Sequence, residues 1–261
     1  MKSSKIDMKK FTKDAFLGGR IQVLQPKIGF RSSMEAVFLA ASVPAMKNQT
    51  ILELGCGAGV VLMCLNHRVP NLSLYGVEIQ KKYADLAQIN LDQNSNVRTY
   101  HSDIQDLPLE IKNKNFDHII TNPPFYKKNA GTRSAILDKD LSLREQLNLN
   151  EWVKISAKRL RPGGMFTIIV GTERLPDIIN EATNYFGNIR VKPISSRINE
   201  NSNRVIIQMT KGTNGVFSLQ PPLIVHQDKA IQKNSTCFTD DVSCLLYTSD
   251  AADDTPCVDL G

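Results

Sequence analysis

Short apolar runs recur along the chain and are separated by longer stretches of mixed polarity. Each run has five or six residues. The runs are rich in Val, Ile and Leu and are bounded by polar or turn-forming residues, which is typical of buried strands. The predicted strands are Thr50–Leu54, Ser73–Val77, Val97–His101, Phe116–Thr121, Met165–Val170, Ile189–Ile194 and Arg204–Met209.

The stretches between these runs carry apolar residues at helical spacing. The predicted helices are Met34–Ser42 (capped by Ser32 or Ser33), Val60–Arg68, Lys81–Asp92, Leu143–Leu160 and Pro176–Phe186, with a short irregular crossover near 104–112. Strands and helices in strict rotation predict a parallel sheet with helices on both faces. We therefore expect an α/β fold with a doubly wound, mostly parallel sheet of seven strands.

The two ends of the chain depart from this rotation. Residues 1–13 are Lys-rich and predicted to be frayed, and the alternation over 21–24 predicts a short strand or hairpin. We expect an N-terminal extension over 1–31, one α/β domain over 32–228 and a disordered tail over 229–261.

The tail changes character from Cys244 onward and continues no strand or helix pattern. Residues 244–253 look like the in-frame translation of a transposase adapter used in sequencing libraries. We therefore expect the native C-terminus to have been replaced from about residue 244. An ordinary acidic, disordered tail is the competing interpretation.

A candidate catalytic turn, Asn122-Pro123-Pro124-Phe125, directly follows the strand Phe116–Thr121. The prolines fix φ and push the preceding residue into an extended conformation. The Asn122 amide oxygen and the Pro123 carbonyl can then accept both protons of an exocyclic NH2 group, while its ring stacks on Phe125. Asn-Pro is also a common turn starter after a strand, so the motif alone leaves both interpretations open.

A candidate cofactor turn follows the strand Thr50–Leu54. Gly55, Gly57 and Gly59 let a ligand approach the backbone. Cys56 lies between the first two glycines, where a small side chain suffices. Glu78 ends the next strand and can accept both hydroxyls of a ribose, and Asp103 follows the third strand. A dinucleotide-binding fold has a similar loop, but Glu53 before the glycines argues against a nicotinamide enzyme.

In this order the motifs resemble those of class I methyltransferases of the amino-methylating group. More narrowly, the chain resembles bacterial enzymes that methylate N6 of adenosine 37, beside the anticodon, in a valine tRNA. The narrower resemblance rests on 18–31, 35–41, 53–59, 76–78, 122–125, 161–164 and 204–212. It departs at Ser33 and Glu35, where the family usually has Gly and Asp, and over 133–138.

The resemblance implies a Rossmann-like methyltransferase fold, S-adenosylmethionine as cofactor and tRNA as partner. It implies catalytic roles for Asn122, Pro123, Pro124 and Phe125. The implied cofactor-binding residues are Glu53, Gly55, Cys56, Gly57, Gly59, Glu78, Asp103 and Asn122.

Charge adds a reason to expect a polyanionic partner such as RNA. The formal net charge is +6, and it becomes +10 without the last eighteen residues, which hold four aspartates and no cation. A basic body favours nucleic acid. Candidate RNA contacts are Arg20, Lys27, Arg31, Lys127 and Lys128, although Arg31 can instead pair with Glu35.

Composition and the length of the apolar runs narrow the class of protein and the expected cellular compartment. A hydrophobic content of 41% is ordinary for a globular protein. No apolar run is long enough to span a bilayer, and no apolar stretch follows the basic N-terminus as in a secretory signal. The five cysteines show no metal-ligand spacing. We expect a cytoplasmic monomer without a metal site or a membrane partner.

Two other functions remain open from the sequence. One is methylation of another amino acceptor, such as guanine N2 in ribosomal RNA or a protein glutamine amide. Relatives of that kind usually carry a larger extra domain, for which the residues before Leu17 leave little room. The other is a non-catalytic RNA-binding protein, against which the intact Glu53, Glu78 and Asn122 argue.

Overall fold

A nine-stranded sheet forms the centre of the molecule in the computed structural model, which describes residues 7–124, 149–227 and 238–247. A separate two-stranded sheet consists of β1 Phe11–Phe16 and β2 Ile21–Pro26. The nine strands of the large sheet are β3 Thr50–Leu54, β4 Ser73–Glu78, β5 Val97–His101, β6 Phe116–Thr121, β7 Leu160–Gly171, β8 Phe186–Ser195, β9 Arg204–Lys211, β10 Ser218–Leu219 and β11 Leu223–Ile224. The large sheet has the order β10-β8-β9-β7-β6-β3-β4-β5, and β11 pairs with β8.

The large sheet is parallel except at β9, which runs antiparallel to β7 and β8. This confirms the predicted α/β, doubly wound and mostly parallel sheet. The predicted count of seven strands is wrong, because β10 and β11 also pair with β8. Each has two residues, which is too short for an alternating pattern to be visible in a sequence.

The helices fill the connections as the periodicity predicts. They are α1 Met34–Ser42, α2 Val60–Arg68, α3 Lys81–Asn90, α4 Leu109–Lys112, α5 Leu149–Arg159, α6 Leu175–Ala182 and α7 Asp240–Tyr247. The bounds of α1 and α2 are those predicted, and Ser33 caps α1 by accepting the Glu35 N–H. The predicted helix Leu143–Leu160 is described only from Leu149, and α6 ends before Phe186, which begins β8.

Side chains on each central strand alternate between two cores. Ile51, Leu74 and Ile120 face a cluster shared with α1 and α2. Leu52, Tyr75 and Ile119 face a second cluster, shared with α5 and α6. Complete burial of one aliphatic side chain of this size stabilises the fold by roughly 1.5–3 kcal/mol. The sheet is therefore held from both faces, and its strand ends remain for function.

Residues 7–26 of the N-terminal extension contain a 3-10 turn and two paired strands, so the prediction of a frayed segment over 1–13 is wrong for its described part. Strand β1 pairs antiparallel with β2, with Phe11 opposite Pro26 and Phe16 opposite Ile21. Val23 on β2 is fully buried in the core shared with α1 and α2. The half-buried β1 gives only a weak hydrophobic signal, which is why its sequence reads as polar.

Asn90, at the end of α3, ties this hairpin to the glycine turn. Its amide oxygen accepts the Leu24 N–H at 2.9 Å, and its amide nitrogen donates to the carbonyls of Leu24 at 3.1 Å and Ala58 at 2.9 Å. One side chain thus serves as a strand partner for β2 and as an anchor for the turn after β3. The extension is thereby attached to the part of the sheet that carries the glycine turn.

Helix α7 contradicts the prediction that no regular structure follows residue 228. Val242 is fully buried in the cluster that contains residues of α1, and Leu245 packs against the same cluster. A helix of eight residues has only about two turns, which is too short for its periodicity to stand out in a sequence. Residues 228–237 and 248–261 lie outside the described part of the chain.

Helix length and hydropathy bear on membranes. Of the helices in the described residues, none combines the length and the apolar character that crossing a bilayer requires.

His118 is a buried histidine on β6, as the strand pattern predicts. Its Nε2 lies 2.9 Å from the Gln49 side-chain oxygen, and burial lowers its pKa to about 4. A histidine held neutral in the folded state stabilises that state above pH 6.5 and loses its contribution as the pH falls through about 4.

We therefore expect His118→Gln to reduce the acid sensitivity of the fold. The wild-type protein should lose up to about 3 kcal/mol through this residue between pH 6.5 and 4, at about 1.4 kcal/mol per pKa unit. Urea unfolding at both pH values measures this loss, and the variant should lose less. The exposed His67→Gln is the matched control. Equal pH dependence in the His118 variant and the wild type would contradict the assignment.

Candidate active site

The candidate site lies at the edge of the sheet where β3, β4 and β6 end. Leu54, near the end of β3, is paired with Val77 on one side and with Thr121 on the other. The Thr121 hydroxyl donates to the Leu54 carbonyl at 2.8 Å. The parallel register thus places the glycine turn, Glu78 and Asn122 at one edge, as the sequence predicts. In α/β folds this carboxyl edge is where ligands bind.

The glycine turn is bound to the end of β4 by its backbone. The N–H groups of Gly55 and Cys56 both donate to the Val77 carbonyl, at 2.8 and 3.0 Å. Gly55 has a φ of +71°, and a Cβ there would lie 3.1 Å from the Trp152 ring. Glycine is therefore required at this position by both backbone conformation and space. Trp152 is a buried residue of the core shared with α5 and α6.

Glu78, at the end of β4, holds the glycine turn through its carboxylate. One oxygen accepts the Gly57 N–H at 3.0 Å and the other accepts the Gln80 N–H at 2.9 Å. The side chain is buried. A carboxylate has about four acceptor positions, so two remain for hydroxyl groups of a ligand. Glu78 therefore shapes the turn and retains the capacity to bind a ribose.

Glu53, on β3, is a buried carboxylate with an unused acceptor. Its Oε2 has no hydrogen-bond partner among the described residues. Burial raises the pKa of Glu53 well above its usual range, and the negative charge of Glu78 adds to the shift. A buried acceptor of this kind is costly unless a ligand satisfies it. A ligand with an ammonium group fits it.

Cys56 lies in the turn as a neutral thiol. Burial raises its pKa well above the usual value, and the charges of Glu53 and Glu78 raise it further. Its sulfur would lie 2.8 Å from a Cβ on Gly76, so the close packing of turn and strand depends on Gly76. The thiol is unsuited to nucleophilic chemistry.

Asn122 carries the second unsatisfied acceptor of the site. Its Oδ1 is buried and has no hydrogen-bond partner among the described residues. Pro123, which follows, is buried, and Pro124 is half-buried. Because Thr121 is fixed to Leu54, the Asn122 backbone starts from a rigid strand end. Phe125, Lys127 and Lys128 lie outside the described residues.

Asp103, predicted to contact a cofactor, follows β5, which pairs with β4. One of its oxygens accepts the Gln105 N–H at 2.9 Å and caps a 3-10 helix, Ile104–Asp106. The residue is half-buried. The structure therefore places Asp103 just after the end of the strand next to that of Glu78, with acceptor capacity left on its side chain.

Phe30 is a residue beside the site that the sequence analysis did not assign. The hydroxyl of the buried Tyr83 accepts the Phe30 N–H at 2.7 Å and lies 3.2 Å from the Phe30 carbonyl. A Cβ on Gly57 would lie 3.8 Å from the Phe30 ring. The glycine that precedes it in the sequence was the available signal: Gly29 has a φ of +116°, and a Cβ there would lie 2.7 Å from the Tyr83 hydroxyl, so only glycine fits.

The basic residues proposed to meet RNA are not gathered in one place. Arg20 is at the tip of the hairpin, and Lys27 lies at the opposite end, where its N–H donates to the Lys10 carbonyl. Arg31 forms an ion pair with Asp14 at 2.6 Å. The alternative pairing of Arg31 with Glu35 is wrong, because Glu35 pairs with Arg204 at 2.7 Å.

Comparison with known proteins gives a consistent result. The sequence profile of the methyltransferase small domain family matches residues 34–193, which is more than half of the chain. The fold resembles a crystal structure of a predicted O-methyltransferase from Agrobacterium tumefaciens, with a TM-score of 0.66 at 21% identity over 83% of this chain and 97% of that one. At this identity the likeness shows the fold alone.

Curated relatives include proteins named tRNA1(Val) (adenine(37)-N6)-methyltransferase. One from Porphyromonas gingivalis is 28% identical over 202 residues, which cover 72% of this chain and 74% of that protein. One from Shewanella frigidimarina is 27% identical over 164 residues, which cover 60% of this chain and 65% of that protein. The latter match spans just under two thirds of the relative's length.

The buried Glu53 makes a prediction about stability. Because burial penalises the charged carboxylate, the folded state should lose stability as the pH rises from about 4.5 toward the raised pKa of Glu53. Glu53→Gln removes this loss. The free energy of unfolding of the variant, relative to wild type, should therefore increase between pH 5 and pH 8. Urea titrations at the two pH values measure it.

The exposed Glu200→Gln is the matched control and should show no such trend. A Glu53→Gln variant whose stability followed that of the wild type at both pH values would refute the buried, unpaired carboxylate.

Proposed function

The chain belongs to the methyltransferase small domain family, and from this premise we propose that it transfers a methyl group from S-adenosylmethionine to N6 of an adenosine in tRNA. Adenosine 37 of a valine tRNA is the proposed target. One observation carries the proposal. The Asn122 oxygen is buried without a hydrogen-bond partner among the described residues, and it follows the end of β6, beside the strand that bears Glu53 and leads into the glycine turn.

The names of the relatives support the choice of acceptor, since those from Porphyromonas gingivalis and Shewanella frigidimarina are both named for adenine 37 of tRNA1(Val). The Asn122-Pro123-Pro124 turn supports it chemically. The amide oxygen of Asn122 and the carbonyl of Pro123 are acceptors, and proline has no N–H to compete for them. Two such acceptors suit the two protons of a flat amino group.

The residues at the edge of the sheet fit the proposed cofactor. S-adenosylmethionine, when bound, supplies an electrophilic methyl group on a sulfonium. Glu53 would hold its ammonium group through the unused Oε2. Glu78 would accept the ribose hydroxyls with its two remaining lone pairs, and Asp103 would accept from the adenine amino group.

The contribution of the protein to the reaction is mainly orientation. The amino nitrogen of adenine is a weak nucleophile because its lone pair is delocalised into the ring. Asn122 and Pro123 would hold both N–H groups and favour a pyramidal nitrogen aimed at the methyl group. Orientation of this kind contributes up to about 7–11 kcal/mol in favourable cases. Phe125 is proposed to stack on the base, which a loop adenosine presents at low cost.

Several parts of the proposal concern the surroundings of the site. Arg20, Lys27, Lys127 and Lys128 are proposed to contact the RNA, whereas Arg31 has a structural partner in Asp14. Residues 32–228 are proposed as the methyltransferase domain. The protein is proposed to be a cytoplasmic monomer. The thiols of Cys56 and Cys64 are both buried and unbridged, which agrees with a reducing compartment.

Mass spectrometry of nucleosides tests the proposal directly. Total tRNA, ribosomal RNA and a protein fraction are each incubated with the protein and S-adenosylmethionine carrying a labelled methyl group. We expect labelled N6-methyladenosine from tRNA alone. Label in N2-methylguanosine or in glutamine would assign another acceptor, and no label in any fraction would overturn the enzyme assignment.

The role of Asn122 gives a further prediction. Asn122→Ala should lower the turnover number for tRNA by at least about 100-fold, because the amino group loses one of its two acceptors. Calorimetry with S-adenosylmethionine should give a dissociation constant near that of the wild type. The exposed Asn113→Ala is the control. Loss of cofactor affinity in Asn122→Ala, with turnover retained at saturating cofactor, would contradict the role.

A further inference from the structure

Exposed lysines converge at the end of the N-terminal hairpin that is remote from its tip. Lys9 and Lys10 precede β1, and Lys27 follows β2. The Lys27 N–H donates to the Lys10 carbonyl at 2.9 Å, which fixes the two segments together. Lys82 on α3 reaches the same place, since its ammonium group donates to the Ile28 carbonyl at 3.2 Å. These four lysines are called the hairpin patch.

The carboxylates near the hairpin patch leave it positively charged. Asp14 pairs with Arg31, and Asp85 pairs with Lys81 at 2.8 Å. Asp7 accepts the Lys9 backbone N–H. Within the described part of the chain, no ion pair involves the ammonium group of Lys9, Lys10 or Lys27. The patch is therefore a concentration of cationic charge on a rigid support.

Apolar side chains are interleaved with these lysines. Ile28 is 76% exposed and Phe30 is 40% exposed. The segment that carries them is held by the Tyr83 hydroxyl and by Lys82, so its exposure is built into the fold. Positive charges for phosphates and an exposed aromatic ring for bases are the two components of single-stranded nucleic-acid binding.

The position of Phe30 connects the hairpin patch to the reaction site. Its ring lies 3.8 Å from where a Cβ on Gly57 would be, and Gly57 is bonded to Glu78. A polyanion bound across Lys10 and Lys27 would therefore pass beside the glycine turn. The hairpin is held there by Asn90, which bonds both Leu24 and Ala58.

We propose that the hairpin patch binds the phosphate backbone of the RNA substrate next to the target nucleotide. This inference rests on the proposed function for the identity of the RNA. It adds Lys9, Lys10 and Lys82 to the surface that holds the RNA, and it separates Lys27 from Arg20, which lies at the other end of the hairpin. The bound segment is the anticodon loop, because single-stranded nucleotides can place bases on Phe30.

The test compares two double variants of the full-length chain. Lys10→Gln with Lys27→Gln removes two charges of the patch and leaves Lys82, which supports the backbone. Lys47→Gln with Lys158→Gln is the matched control, since both lysines are exposed and lie away from the hairpin. Thermal unfolding of each variant establishes that the fold is intact.

The probe is a fluorescein-labelled, unmodified valine tRNA transcript, with binding measured by fluorescence anisotropy between 50 and 200 mM salt. Each phosphate contact contributes roughly 0.7–0.9 to the slope of log affinity against log salt. We expect the patch variant to lower this slope by about 1.4–1.8 and to weaken binding at 50 mM salt on the order of tenfold. Methylation assays should show a raised KM for the transcript at an unchanged kcat.

Unchanged slopes in the patch variant would overturn the proposal, whether or not the transcript is methylated. If the wild-type protein methylates no RNA, the proposed function fails separately, and the slopes still decide whether the patch binds phosphates. Co-sedimentation with phosphatidylcholine–phosphatidylserine vesicles covers the competing partner. Vesicle binding that depends on Lys10 and Lys27, with transcript affinity unchanged, would assign the patch to a membrane surface and refute the RNA contact.

Discussion

The bidentate grip of the Glu78 carboxylate on the backbone organises the cofactor half of this protein. One oxygen fixes Gly57 in the turn after β3, and the other fixes Gln80 at the start of α3. Two strand ends and one helix start are thereby set relative to each other by a single buried side chain. Buried hydrogen bonds to a charged group are among the stronger ones in proteins. Phe30, Tyr83 and the hairpin depend on where α3 begins.

The site is built at some cost to the fold. The oxygens of Glu53 and Asn122 are buried without hydrogen-bond partners among the described residues, and each such group costs roughly 1–3 kcal/mol. Both lie at the same edge of the sheet, on neighbouring strands. The neighbouring Thr121 hydroxyl, by contrast, donates to the Leu54 carbonyl. Buried groups without partners are expected where a ligand, rather than the protein, completes the hydrogen bonding.

Periodicity located the central strands and helices because buried parallel strands are apolar on both faces. The predicted strands also placed Glu53, Glu78 and Asn122 at one edge of the sheet, because the carboxyl ends of parallel strands lie at the same edge. Periodicity could not find the hairpin contacts, because the backbone of Leu24 is hydrogen-bonded by the side chain of Asn90, sixty-six residues away. The partners of Arg31 and Glu35 were missed for the same reason. Each ion pair joins segments whose proximity depends on the finished fold.

The attachment of the hairpin to α3 has a consequence for biosynthesis. Residues 7–31 leave the ribosome before Tyr83 and Asn90, whose side chains form the hydrogen bonds that attach this segment to α3. A two-stranded hairpin alone is marginal in water. The hairpin must therefore wait until α3 has been made, so the order of folding along this chain is not the order of its translation.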